Sequence, residues 1–158
     1  MARAPAARQL AEAKKNLPED WNFKIWDCLR PYLVQKRMMD SFARRIDFIY
    51  PKTSKKEKAL LLQKFAGVLK RQTNDLGTHA NGGSFDLTLM DEKGDELYMG
   101  TDHDDLTDKA ATDYYESKAE LNELEKEAKK NRKIMKDVLE KAGFVNYVPE
   151  WWHWSYDK

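Results

Sequence analysis

The stretch THANGGSFDLTLM, residues 78–90, changes character at its centre. From Phe85 onward apolar and polar residues alternate, Phe85, Leu87 and Leu89 against Asp86 and Thr88, which is the period-two pattern of a strand. A second alternating segment follows Lys93-Gly94, so residues 85–99 predict a hairpin. Ahead of the strand, Gly82-Gly83 lets the chain turn, and the six residues between His79 and Asp86 are enough for both side chains to face one point. An imidazole and a carboxylate so placed would be two ligands of a catalytic metal site; a further histidine would be the third, and a fourth position would stay open for water. The same residues also admit a plainer reading, in which the histidines are scattered by chance and the glycines serve only a turn.

The surrounding chain is mostly helical. Residues 4–16 have helix composition, and WNFKIWDC, residues 21–28, reads as a strand rich in aromatic and branched residues. Pro31 opens a helix through YLVQKRMMDSFARRIDFIY, PKTS breaks it, and a further helix is expected from about Lys55 to Arg71. Residues 108–142 are dense in Ala, Glu, Lys and Leu, with opposite charges four apart, and predict a long helix with a solvated face, closed by Gly143. From Val145 to Tyr156 the chain is aromatic, carries Pro149 and reads as extended. Helices packed with a small antiparallel sheet make the expected fold class α+β.

The last residues, VPEWWHWSYDK (148–158), hold Glu150, His153 and three of the five tryptophans. A regular strand sends positions i and i+3 to opposite faces. For Glu150 and His153 to face one metal, Glu150 has to sit in a turn after Pro149 or at a bulge. Trp151, Trp152 and Trp154 suit a core as well as a site wall, and at least one is expected to be packing only.

Composition narrows the function. The 158 residues are enough for one domain with a compact core, and Lys plus Arg at 28 against Asp plus Glu at 27 gives no reason to expect nucleic acid or an anionic membrane as partner. A single cysteine, Cys28, excludes an intramolecular disulfide and a cysteine-rich zinc module; in its apolar run it is expected to be inert. No apolar run reaches the length of a membrane span, and MARAPAARQL lacks the apolar centre of a secretory signal.

Taken together, THANGGSFDLTL and the later EWWH resemble the zinc D-alanyl-D-alanine dipeptidases of the VanX type, relatives of D-Ala-D-Ala carboxypeptidases that share SxHxxGxAxD and ExxH signatures. The likeness extends to IWDCLRP (25–31), MGTDHD (99–104) and NRKIMKDVLEKAGFVNYVPEWWH (131–153), and it runs from about residue 8 to the end. It implies one zinc ion per chain held by His79, Asp86 and His153, with Glu150 as catalytic base and Arg30 as the cation facing the transition state. By alignment with the family's Met-Gly-x-x-x-Asp stretch it implies Asp104, rather than Asp102 or Asp105, as partner of a substrate ammonium. His103 is expected not to ligate, and Thr78 to hydrogen-bond substrate.

Two departures stand out. The first Ser of the signature is Gly77 and its Ala is Ser84. The family also carries a segment before its first helix that adds strand and pocket wall, and this chain is expected to lack it. As given, the sequence reads cytoplasmic; a removed signal would place the protein in the periplasm or cell envelope. The expected substrate is D-Ala-D-Ala or a similar small D-dipeptide. The rivals are a carboxypeptidase trimming peptidoglycan stem peptides and a non-catalytic, metal-bearing binding module.

Overall fold

The computed structural model describes residues 2–67 and 78–158. Helix α1 (Ala4–Lys14) leads into strand β1 (Asn22–Asp27), followed by α2 (Tyr32–Ile49), α3 (Lys55–Ala66), β2 (Ser84–Met90), α4 (Glu123–Lys141), β3 (Val145–Asn146) and β4 (His153–Ser155). The four strands form one antiparallel sheet in the order β1-β2-β4-β3. The fold is therefore α+β, as the sequence predicts.

Strand β2 is the centre of the molecule, and its alternation has physical meaning on both sides. Phe85, Leu87 and Leu89 enter a core completed by Ala6, Leu10 and Ala13 of α1 and by Met135, Val138 and Leu139 of α4. Ser84, Asp86 and Thr88 point the other way and are buried as well. Helices α2 and α3 form a second cluster of Phe42, Ile46, Phe65 and Ala66 around Leu106. The Tyr50 hydroxyl donates to the Leu106 carbonyl at 2.7 Å, and the Gln35 amide donates to the Ala66 carbonyl at 2.6 Å. Ser54 and Glu57 form a reciprocal cap at the start of α3, so PKTS both ends one helix and begins the next.

Pairing of β1 with β2 is regular from Asn22↔Met90 to Ile25↔Leu87 and then slips, so that Asp27 stands opposite Asp86. Trp26 is the extra residue of this bulge. Opposed residues of an antiparallel pair share a face, so without the bulge Asp27 would lie on the Phe85 side, in the core. With it, Asp27 shares the face of Asp86.

Three expectations need revision. Residues 108–122 do not continue α4 toward the N-terminus. They form a short 3-10 turn, Asp108–Ala110, and further turns, and the helix is capped by Asn122, whose side chain accepts the Glu125 amide at 2.9 Å. The competing interactions are tertiary: buried Arg132 donates to the carbonyls of Met99 (2.7 Å), Ala111 (2.6 Å) and Lys109 (3.0 Å), and the Thr112 amide donates to Val148 O at 2.8 Å. Helix-forming composition is a weak prior against backbone groups already engaged elsewhere. The hairpin after β2 forms only in part. Met90 bridges Glu96 and the Leu97 amide donates to Leu89 O at 2.9 Å, but Asn131 and Arg132 take the carbonyls of Tyr98 and Met99, which a second strand would have used. The extended C-terminal segment is two short strands, β3 and β4, with a turn between them. Gly143 follows α4 with φ +84°, the left-handed conformation that ends helices. Arg71, the expected end of α3, and Gly77 lie outside the described residues. No helix among the described residues is long and apolar enough to cross a membrane.

Candidate metal and active site

The turn before β2 is fixed from several sides. Gly82 adopts φ +72°, the Gly83 amide donates to the Thr78 carbonyl at 2.9 Å and to the Asn81 side chain at 3.0 Å, and the Arg3 amide donates to Gly82 O at 2.8 Å. The His79 carbonyl accepts the Arg30 amide at 2.9 Å, and the His79 ring places Nδ1 at 2.7 Å from the Cys28 carbonyl. A carbonyl only accepts, so Nδ1 carries a proton and donates, which in the neutral imidazole leaves Nε2 with its lone pair. The one cysteine thus contributes its backbone to the site.

Asp86 and His153 are directly opposed residues of β2 and β4. His153 Nδ1 lies 3.0 Å from Asp86 Oδ1 and 3.1 Å from His79 Nε2, and His79 Nε2 lies 3.2 Å from Asp86 Oδ2. The ligand atoms of His79, Asp86 and His153 all fall within 4.8 Å of one another, the one such group among the described residues. Two imidazole nitrogens and a carboxylate crowded around one point, with the His79 Nε2 lone pair free for a cation in the neutral ring, make a donor set that fits a divalent cation.

Glu150 lies in the turn between β3 and β4, the first of the two placements, turn or bulge, that let an i, i+3 pair face one point. Its amide donates to Tyr147 O at 2.8 Å, and the His153 amide donates to Glu150 O at 3.2 Å. Asn146 holds this turn from within, donating to the carbonyls of Glu150 (3.2 Å) and His153 (3.1 Å) while its own oxygen accepts the Thr112 hydroxyl at 2.7 Å. The Glu150 carboxylate comes within 3.9 Å of His153 Nδ1.

Arg30 is a half-buried residue of the site. Its Nε donates to Asp27 at 2.6 Å, one terminal nitrogen to Gln35 at 3.0 Å and the other to Asp86 Oδ2 at 2.7 Å. Asp104 sits in the left-handed region, φ +60°, its carbonyl accepting from Arg45 at 2.7 Å. His103 stacks on Trp26, with centroids 4.5 Å apart, and meets Trp152 edge-on. Its Nε2 lies 3.4 Å from Asp104 and 3.9 Å from Asp86, with no hydrogen-bond partner among the described residues, and His103 stays outside the candidate metal-ligand group.

Opposing fields divide the carboxyl groups. Burial pushes Glu150 upward, and Asp86 and Asp104 push the same way, so its carboxyl rises well above the ordinary range despite Arg30 and Lys64. Burial also raises Asp104, with His103 opposing it and Asp86 adding to it. Asp86 is held well below the ordinary range: burial acts upward, but the imidazoles of His103, His153 and His79 outweigh it. Burial disfavours the charge on Arg30, yet Asp86 and Asp27 more than compensate.

These groups converge on a cavity of about 470 Å³ lined by Arg30, Thr78, His79, Asp86, Asp104, Glu150 and His153, with Trp152 and Tyr147 as aromatic wall. All seven residues singled out in the sequence therefore border one space. Trp154 does not line it, and its indole donates to the Trp151 carbonyl at 3.0 Å, a packing role. A second hollow of about 630 Å³ borders Trp26, His103 and Trp151, but none of His79, Asp86 and His153 lines it.

Several contributors escaped the sequence reading. Asp27 and Gln35 anchor Arg30, and a signal existed in their positions three before and five after it. Asn146 gave no such sign, because its role depends on the turn it spans. Tyr147, whose ring meets His153 edge-on at 5.8 Å, was one aromatic among many.

A family profile described as D-ala-D-ala dipeptidase, peptidase M15, matches residues 1–158. Three similar proteins carry the name D-alanyl-D-alanine dipeptidase. The one from Synechocystis sp. is 27% identical over 97% of this chain and 68% of its own length. The one from Escherichia coli is 33% identical over 49% of this chain and 36% of its own, and the one from Enterococcus faecalis is 26% identical over 83% and 60%.

Proposed function

This chain belongs to the peptidase M15 family of D-ala-D-ala dipeptidases, and from that premise we propose that it hydrolyses D-Ala-D-Ala to two D-alanines in one zinc-dependent domain. The observation that best supports this reading is the meeting of His79, Asp86 and His153 within 4.8 Å, beside a buried Glu150 of raised proton affinity. Zinc, when bound by the three ligands, lowers the pKa of water to about 7 and polarises a carbonyl.

The remaining work falls to the chain's own side chains. Glu150 takes the proton of the attacking water and returns it to the leaving amine, tasks suited to a carboxyl that holds a proton more readily than usual. Arg30 faces the oxyanion that develops as the peptide carbonyl is attacked. Asp27, Gln35 and Asp86 hold its guanidinium in place beforehand, so little reorganisation accompanies the charge. Asp104 receives the substrate ammonium, and Thr78 donates a hydrogen bond at the cavity wall. Arg30→Ala is expected to keep its zinc and lose about a hundredfold in kcat, the scale of one oxyanion donor. Near-wild-type turnover would remove Arg30 from the mechanism.

The deciding experiment compares D-Ala-D-Ala, its N-acetyl form and a stem peptide ending in D-Ala-D-Ala on the zinc-loaded protein. Acetylation removes the charge that Asp104 pairs with and leaves a partly buried carboxylate alone, at a cost of roughly 3 to 5 kcal/mol. Hydrolysis of the blocked peptide is expected to fall at least about a hundredfold, and Asp104→Ala should narrow the gap. Faster cleavage of the blocked or longer peptides would point to a stem-trimming carboxypeptidase, and inactivity on all three to a binding module.

A further inference from the structure

The metal-facing residues of β2 and β4 have neighbours on the same face. Two positions along each strand from Asp86 and His153 stand Ser84 and Ser155, themselves a directly opposed pair. Their hydroxyl oxygens are 2.9 Å apart, and Ser155 Oγ is 3.4 Å from His153 Nε2. Ser84 is fully buried, so this is a hydrogen-bonded run leading inward from the ring of a ligand candidate.

The direction of the run follows from elementary chemistry. His153 presents Nδ1 to Asp86 and to His79. If that nitrogen gives its lone pair to a cation, a neutral imidazole must carry its proton on Nε2, which then donates to Ser155 Oγ. Ser155, its oxygen engaged as acceptor, turns its own O–H toward Ser84.

We infer that Ser155 and Ser84 are positioning residues for the metal: their paired hydroxyls fix the His153 tautomer and ring orientation and thereby set metal affinity. The inference rests on the metal centre proposed above. Outer partners of ligating histidines typically contribute about tenfold to a hundredfold in metal affinity.

The test is competitive zinc titration against a chromophoric chelator, using the full chain as wild type, Ser155→Ala, Ser155→Thr and Ser84→Ala. Ser155→Ala is expected to weaken zinc binding about tenfold or more, Ser84→Ala less, and Ser155→Thr, which keeps a hydroxyl, to retain near-wild-type affinity. The metal-free unfolding midpoints should stay together while the zinc-loaded midpoints separate, a split that a purely structural role would not produce. In the zinc-loaded wild type, the His153 Nε2 proton should exchange slowly with solvent, and in Ser155→Ala rapidly. Equal zinc affinity in wild type and Ser155→Ala, or equal loss in Ser155→Thr and Ser155→Ala, would overturn the inference and leave the metal centre standing. A wild-type chain that takes up no zinc would overturn both.

Discussion

His153→Ala is expected to emerge from purification without zinc and without measurable hydrolysis of D-Ala-D-Ala, and the wild type to hold one ion per chain. That is the expected outcome if three side chains hold the metal, because two ligands do not compose a stable site. His153 is the ligand to replace first. Its side chain is 20% exposed, against 9% for His79 and 3% for Asp86, and removing Asp86 would also strand Arg30. A chelator should abolish wild-type turnover reversibly, and added zinc should restore it in the wild type alone. Elemental analysis finding full occupancy in His153→Ala would refute the ligand set.

Glu150→Gln should keep its zinc and lose between about a hundredfold and ten-thousandfold in kcat, the range for a lost proton carrier. An unchanged turnover number would exclude Glu150 as base. The same variant carries a signature in the metal-free protein. Burial, first of all, raises the Glu150 carboxyl well above its ordinary 4.5, with Asp86 and Asp104 adding to the effect. The folded state therefore binds this proton more tightly than the unfolded state. Its contribution is most favourable below the unfolded value and is lost as pH rises through the folded one. Metal-free Glu150→Gln should thus resist urea better than the metal-free wild type at neutral pH, and the advantage should shrink as pH falls toward 4.5 and below. An advantage that grew on acidification would reverse the assigned direction.

Much of this site was legible because its members lie where short-range patterns speak. Alternation around Asp86 gave the strand, Gly82-Gly83 gave the turn that lets His79 join it, and the spacing of Glu150 and His153 called for a turn or a bulge, of which a turn is present between β3 and β4. The long-range decisions were not legible. Residues 108–122 have helical composition, but Arg132 and Val148 claim their backbone groups. Asn146 and the Ser84–Ser155 pair acquire their roles only through strand register, which a single chain read in order does not display. Trp26 looked like one more aromatic in a strand, and the register slip it causes could not be counted without the partner strand.

That slip sets two kinds of selection against each other. Drawing Trp26 into register opposite Asp86 would make β1 a more uniform ladder and would be expected to favour the sheet in isolation, yet it would place Asp27 opposite Phe85, carry it across to the oily side and pull the anchor from Arg30. A search for sturdier variants that rewards only folding would drift toward that repair and discard catalysis on the way. The irregular strand is thus a marker of constraint: within this sheet, the least ideal geometry is where the sequence has the least freedom to improve.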